Sequence, residues 1–421
     1  RSTPKPSSAT SDVYKRQFEN SYIVIEDKYV KGVYEKLPAI YKDILVKDYG
    51  NSLIIPGFVD LHLHAPQFAN LGLGLDKELM PWLETYTFPE EKKYSDLAYA
   101  KKVYSYLIKE LWKLGTTRSV IFATLHKEAS KMLMDMFSQS GLSAYVGKVN
   151  MDRNSPDFLV ETTEQSLKDT EEILIEYSEK YDLVKPIITP RFVPTCTTEL
   201  MNGLGKLAVK FNAKVQSHLC ENRDEISFVK QLHPDSKNYA RVYDEAGLLG
   251  QLPTCMAHCV HLEEDEIDLM AKRQVFAVHC PNSNSNLSSG IAPIRKLINR
   301  GIPVGLGSDI SGGHSLSIIN TIVSAAQVSN LNYAVNNRAE KSLTTAELFY
   351  IATKGGGKFF GKVGSFEEGY EFDALVIDDS TLPIVKPLSL EERLQKFIYT
   401  GDDRNIKVRY VAGNEVLEPV L

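Results

Sequence analysis

Between residues 58 and 309 one pattern repeats. Short apolar runs alternate with longer stretches of helical periodicity. The runs are FVDLHLH (58–64), TTRSVIFA (116–123), SAYVGKVN (143–150), KPIITPRF (185–192), KVQSHL (214–219), TCMAHCV (254–260), VFAVHCP (275–281) and IPVGLGSD (302–309). Each is too short for a stable helix and suits a buried strand. Stretches such as 95–115 and 163–182 carry apolar residues on one helical face. Strand–helix alternation eight times over roughly 250 residues predicts an α/β fold, a (β/α)8 barrel. An open doubly wound sheet is the competing architecture, but no G-x-G-x-x-G turn follows an early run.

The two chain ends read differently. YIVIED, KDILVKD and NSLIIPG near the start, and EFDALVIDD (371–379) and NIKVRYVAGNEVL (405–417) near the end, alternate apolar with polar residues. They are expected to pair into one small β-sandwich domain. This divides the chain into a non-native or disordered leader (1–17), the first part of the small domain (18–55), the barrel (56–365) and the rest of the small domain (366–421). A hydrophobic content of 43% is ample for such a core. The net charge is −6 with no basic block, which argues against a nucleic-acid groove, and no apolar run reaches the roughly 18 residues that span a bilayer. The five scattered cysteines, with no secretory signal, suggest a reducing cytoplasm.

In a β/α barrel, chemistry sits at the C-terminal ends of the strands. Those ends carry His62 and His64, Arg191 and Phe192, His218, His258, His279 and Asp309. His62 and His64 are two apart, so they share one face of their strand. With His218 and Asp309 they form a three-His, one-carboxylate set that leaves a position open for water, a pattern for a catalytic metal. Zn²⁺ is the first choice, and Fe²⁺ fits the same donors. His258 is placed to hold the activated water, and Glu221, three residues beyond His218, to carry protons. His279 reads as structural, and SGGHS leaves His314 unassigned. Cys255, Cys259 and His261 make a C-x-x-x-C-x-H cluster, read as small buried hydrophobes beside a histidine and not as a zinc site.

PGFVDLHLH, QSHLCEN, AHCVHL, HCPNSNSNLSSG and VGLGSD together resemble the amidohydrolase superfamily, deaminase branch. HLHAPQ, then WLETYTFPEE, PRF and SHLCENRDE resemble, in order and spacing, the guanine deaminase family within it. The resemblance covers nearly all of the chain after residue 18. It implies hydrolysis of guanine to xanthine and ammonia with one zinc per chain, usually in a homodimer. It assigns His62, His64, His218 and Asp309 to the metal, with Glu221, His258 and Asp309 as catalytic groups. Gln67, Arg191 and Phe192 match purine-contacting positions, with His218 and Glu221 also facing the substrate. Arg191 suits an exocyclic carbonyl oxygen, Gln67 can donate and accept, and Phe192 and Trp82 can stack on a purine face.

Three other readings are weighed against this one. Another single-metal deaminase or halide hydrolase, acting on a different purine, a pterin or a triazine, would share the core motifs. A two-metal hydrolase needs a bridging lysine at the end of strand 4, which instead ends ITPRF. A barrel that has become a binding scaffold would lack ligands that this chain keeps. The H-x-E and P-C-x-x-C signature of the cytidine-type deaminases is absent.

Overall fold

The computed structural model describes residues 17–421, so the expected leader falls almost wholly outside the described residues. β1 (Tyr22–Glu26) and β2 (Tyr29–Tyr34) form an antiparallel hairpin. β3 (Leu53–Pro56) then leads into β4 (Phe58–His64), whose seven residues are all buried. The strand expected at KDILVKD is not formed. Residues 44–46 are exposed, Leu45 by 86%. Three successive apolar residues give no one-sided face, and YVKGVY (29–34) takes the place beside β1 by burying Val30.

The eight internal runs all form parallel strands. β5 (Thr116–Phe122), β6 (Ser143–Gly147) and β8 (Val184–Pro186) continue from β4 in the order β4-β5-β6-β8. β10 (Val215–Leu219), β11 (Thr254–His258), β12 (Phe276–His279) and β13 (Val304–Leu306) form a second parallel sheet in chain order. The third and fourth runs each break. β7 (Val149–Asn150) and β9 (Thr189–Pro190) pair with one another instead. Pro186 and Pro190 have no N–H to give a ladder, which accounts for the break in the fourth run. The two sheets meet at both sides. Ile188 bridges Val215 in parallel, while Asp309 N donates to His62 O at 2.8 Å and His64 N to Ile310 O at 3.2 Å.

Helices cover the outside. Leu97–Lys113 starts where the Asp96 side chain accepts from Ala98 N and Tyr99 N. It buries Ala100, Val103, Tyr104, Leu107, Ile108 and Leu111, the spacing of one helical face. Thr163–Tyr177 stops short of the expected 182, because the tail SEKYD has only Tyr181 to bury.

The chain ends do pair. β14 (Ala374–Ile377) lies between β3 and β15 (Ile406–Val411), and β16 (Asn414–Glu415) closes the antiparallel order β16-β15-β14-β3. The hairpin residues Ile23, Ile25 and Val30 pack on Phe372, just before β14, and on Val376 and Tyr410 of this sheet. Arg118 of β5 ties it to the parallel strands. Its Nε donates to Asp373 Oδ2 at 2.7 Å, and its Nη2 to Asp373 Oδ1 at 2.9 Å and Glu371 Oε2 at 2.8 Å.

Candidate active site at the strand ends

His62 and His64 project from one face of β4, with ring centroids 4.9 Å apart. His218, from the end of β10, brings its Nε2 to 3.1 Å from His64 Nε2. Asp309, just beyond β13, places Oδ1 at 3.1 Å from His62 Nε2 and 3.6 Å from His64 Nε2. His258, ending β11, lies 3.4 Å from Glu221 Oε2 and 3.7 Å from Asp309 Oδ2 through its Nε2. His258 and Asp309 both sit at positive φ, +72° and +46°. Non-glycine residues adopt this conformation where the surroundings impose it, and such residues cluster at functional sites. Gly307 lets β13 approach β4, since a Cβ there would meet Cys280 Sγ, His62 Cβ and Val278 Cγ1 at 2.9 Å.

The protonation states suit a cation. Burial pushes His62, His64 and His218 down from the usual imidazole range, so they are neutral and keep a lone pair. Burial opposes the charge of Asp309, but His62 and the neighbouring imidazoles outweigh it and hold the carboxyl well below the carboxylate range. His218 Nδ1–H donates to the Arg191 carbonyl at 2.6 Å, which turns its Nε2 toward the cluster. His62 Nε2 is fully buried and has no hydrogen-bond partner. A buried lone pair left without a partner, facing two more imidazoles and a carboxylate, is what a divalent cation satisfies. His62, His64 and Asp309 converge within 4.8 Å, as do His62, His218 and His258. Cys280 also reaches the edge of this cluster, with His258 and Asp309.

Glu221 is buried beside the cluster. Burial raises its carboxyl to about 7, and Ser289 Oγ donates to its Oε1 at 3.2 Å. His258 feels burial too, but the carboxylates of Glu221 and Asp309 outweigh it and push its pKa up. His258 Nδ1 lies 2.9 Å from Asn284 Oδ1, so Nδ1 carries the proton given to that oxygen.

The other expected residues fall in the same region. Ser311 N donates to Gln67 Oε1 at 3.1 Å, and Gln67 Nε2 donates to Glu91 Oε1 at 3.1 Å. Arg191 Nη1 donates to Glu91 Oε2 at 2.6 Å, with its guanidinium 5.6 Å from the Phe88 ring centroid. The Phe192 ring is 6.4 Å from His218, edge-on. Trp82 is buried among Leu79, Phe88, Phe122 and Met151, and its indole N–H donates to Leu73 O at 3.1 Å. His279 lies buried at the end of β12, and His314 is exposed beside Asn286. All five cysteines are free and buried, and His261 is engaged with the Ser289 carbonyl at 2.7 Å.

Three side chains at the site carry no role in the sequence reading. Phe122, ending β5, packs against His62, His64 and His218 at 4.7–5.0 Å. Its place at a strand end is the signal that marks it. Asn284 lies in HCPNSN, but only the fold brings it to His258. Glu91 lies in FPEE and shows nothing in sequence of its two partners.

A model of the amidohydrolase family matches residues 53–416. The chain is 43% identical over 422 residues to a guanine deaminase of Dictyostelium discoideum, covering 94% of this chain and 93% of that protein. It is 38% identical over 385 residues to the guanine deaminase of Escherichia coli K12, covering 89% and 85%. A crystal structure of a guanine deaminase from C. acetobutylicum, with guanine bound in its active site, superposes with a TM-score of 0.94 at 54% identity, over 96% of this chain and 97% of that one.

Proposed function

The chain belongs to the amidohydrolase family, and from this premise we propose that it is a guanine deaminase, hydrolysing guanine to xanthine and ammonia at the strand-end cluster. The observation that carries the reading is the convergence of three neutral imidazoles and the Asp309 carboxylate beside Glu221, whose burial raises its pKa to about 7. His62, His64, His218 and Asp309 would hold one divalent cation, which we take to be zinc because imidazole donors suit it. When bound, the cation lowers the pKa of water toward neutrality, so that water can attack at pH 7.

The side chains supply the rest. Asp309 accepts a proton from the water as its oxygen adds to C2 of guanine. Glu221 gives a proton to the adjacent ring nitrogen, and its pKa near neutrality suits it to both give and take one. His258, fixed through Asn284, donates Nε2–H to the oxygen that has added. The C2–N bond then breaks as Asp309 passes its proton to the amino group, which leaves as ammonia, while the remaining O–H proton goes to Glu221, restoring its carboxyl and leaving C2 as a carbonyl. Arg191 and Gln67 bind the purine's polar edge, and Phe192 covers its face. Trp82, with its N–H already engaged, offers only apolar surface. We further read the parallel strands as closing into a (β/α)8 barrel over 56–365. The sheet and hairpin of 18–55 and 366–421 would form a small β-sandwich, and the whole a cytoplasmic homodimer. Among the described residues no helix is long and apolar enough to cross a membrane.

The test is ammonia release from guanine, adenine, cytosine and a pterin. Release from guanine alone, abolished by a chelator and restored by zinc, is expected. Chelator-sensitive release from another substrate instead would overturn the substrate. Glu221→Gln is expected to bind metal but lose turnover by a factor of about 10² or more, and near-normal turnover would remove Glu221 from the mechanism.

A further inference from the structure

We propose that Glu91 is a positioning residue that sets both polar purine contacts at once and so makes the pocket read a lactam edge, an N–H beside a C=O. The proposal rests on the guanine reading above. Glu91, Gln67 and Arg191 are 3, 2 and 4% exposed. The two oxygens of Glu91 are divided between the other two: Oε1 accepts from Gln67 Nε2 at 3.1 Å and Oε2 from Arg191 Nη1 at 2.6 Å. The neighbouring Glu90 points elsewhere, to Lys93 and the Tyr99 hydroxyl.

The consequence for Gln67 is a fixed orientation. Its Nε2 faces a carboxylate and its Oε1 faces the Ser311 N–H. Rotating the amide by half a turn would set oxygen against carboxylate and N–H against N–H. Gln67 therefore presents one free N–H and one free lone pair in a single sense. That pair is complementary to a lactam, whose N–H donates and whose oxygen accepts. Arg191, held through Nη1 by the same carboxylate, keeps further N–H donors on its guanidinium. Guanine has this edge at N1 and C6. A purine without the C6 oxygen does not, and would leave these buried donors unpaired, which is a strong basis for rejection. Glu91 itself touches no reacting atom, and it acts through the two side chains it holds.

The experiment compares the wild type with Glu91→Gln and Glu91→Asp. It reads kcat and KM for guanine, inhibition constants for hypoxanthine (which has the lactam edge) and unsubstituted purine (which lacks it), and metal content. In Glu91→Gln, KM for guanine and the hypoxanthine constant are expected to rise together by about tenfold or more. The purine constant should stay within about twofold, kcat within about threefold, and metal content unchanged. Glu91→Asp keeps the charge and should fall between. Equal weakening of both inhibitors, or no change in either, would overturn the role of Glu91. If Glu91→Gln does not fold because Arg191 is left as a lone buried charge, Glu91→Gln/Arg191→Met is compared with Arg191→Met. Because Glu91 also orients Gln67, the ratio of the hypoxanthine to the purine constant should still rise in the double variant relative to Arg191→Met, and an unchanged ratio would overturn the proposal. A wild type that releases no ammonia from guanine would overturn the guanine reading itself. A wild type that does so, with an unmoved inhibitor ratio in Glu91→Gln, would overturn only the inference about Glu91.

Discussion

Replacing Arg118 with Met should cost stability and spare activity. The guanidinium makes three hydrogen bonds, at 2.7, 2.8 and 2.9 Å, to Asp373 and Glu371. The side chains of Arg118 and Asp373 are 5% and 0% exposed, so the charges are desolvated. Without Arg118, Asp373 is left buried with the Ala412 N–H, at 2.8 Å from Oδ1, as its remaining donor. Removing one partner of such a buried pair costs about 3–5 kcal/mol, because the other charge is left uncompensated. For a chain of this size the urea dependence is about 3 kcal/mol per molar or steeper, so the unfolding midpoint should fall by about 1 M. Arg118 precedes Phe122 by four strand positions, or about 13 Å, which puts it at the end of β5 away from the site. Guanine turnover and metal content should therefore stay within about twofold of wild type in the absence of urea. Adding Asp373→Asn removes the lone charge and should recover part of the loss. A midpoint within about 0.3 M of wild type would refute the argument that the pair holds the end sheet to the parallel strands. A large loss of turnover with metal retained would refute the separation of stability from function.

Other perturbations have equally direct readouts. Asn284→Leu removes the acceptor that fixes His258, and should lower kcat by about 10–100-fold with metal content unchanged, measured by steady-state kinetics and elemental analysis. Gly307→Ala places a methyl 2.9 Å from His62 Cβ, so metal affinity should fall by about tenfold or more in competition with a chelator. Burial opposes the charge of Glu347, but Arg295, bonded to it at 2.7 and 2.9 Å, brings its carboxyl down from 4.5 to about 2. Because the folded value lies below the unfolded one, this stabilisation is present above about pH 4.5 and is lost as the pH falls toward about 2. The shift alone corresponds to about 3 kcal/mol, which solvent screening of a partly exposed pair reduces to about 1 kcal/mol. The difference in midpoint between wild type and Glu347→Gln should therefore shrink across that range, and a constant difference would count against the pair.

The parallel strands were legible because burial on both faces makes each a continuous apolar run, and a single chemical signal stood at each end. FVDLHLH and TCMAHCV match β4 and β11 at their histidine ends. The chain ends were harder. An exposed run such as KDILVKD has strand-forming residues but no face to bury, whereas YVKGVY looks weaker and forms a strand because Val30 meets Phe372 and Tyr410. Tertiary contact decides such cases, and it cannot be read from a window of seven residues.

The site divides along the same line. That His62, His64, His218, His258, Asp309 and Glu221 would come together was legible because a periodicity argument puts each at or just beyond the end of a parallel strand. Asn284 and Glu91 act on other side chains, so no periodicity marks them. Arg191 lies 100 residues beyond Glu91, and Gln67 lies 24 before it. A carboxylate in FPEE reads as an ordinary charge in a helix's first turn until the fold buries it between those two partners. Once it is buried, each oxygen must be paired, because an unpaired buried charge is costly. The pairing leaves Gln67 one orientation and Arg191 one direction. Residues that are silent in the sequence can thus decide which edge of a ligand the legible ones can meet.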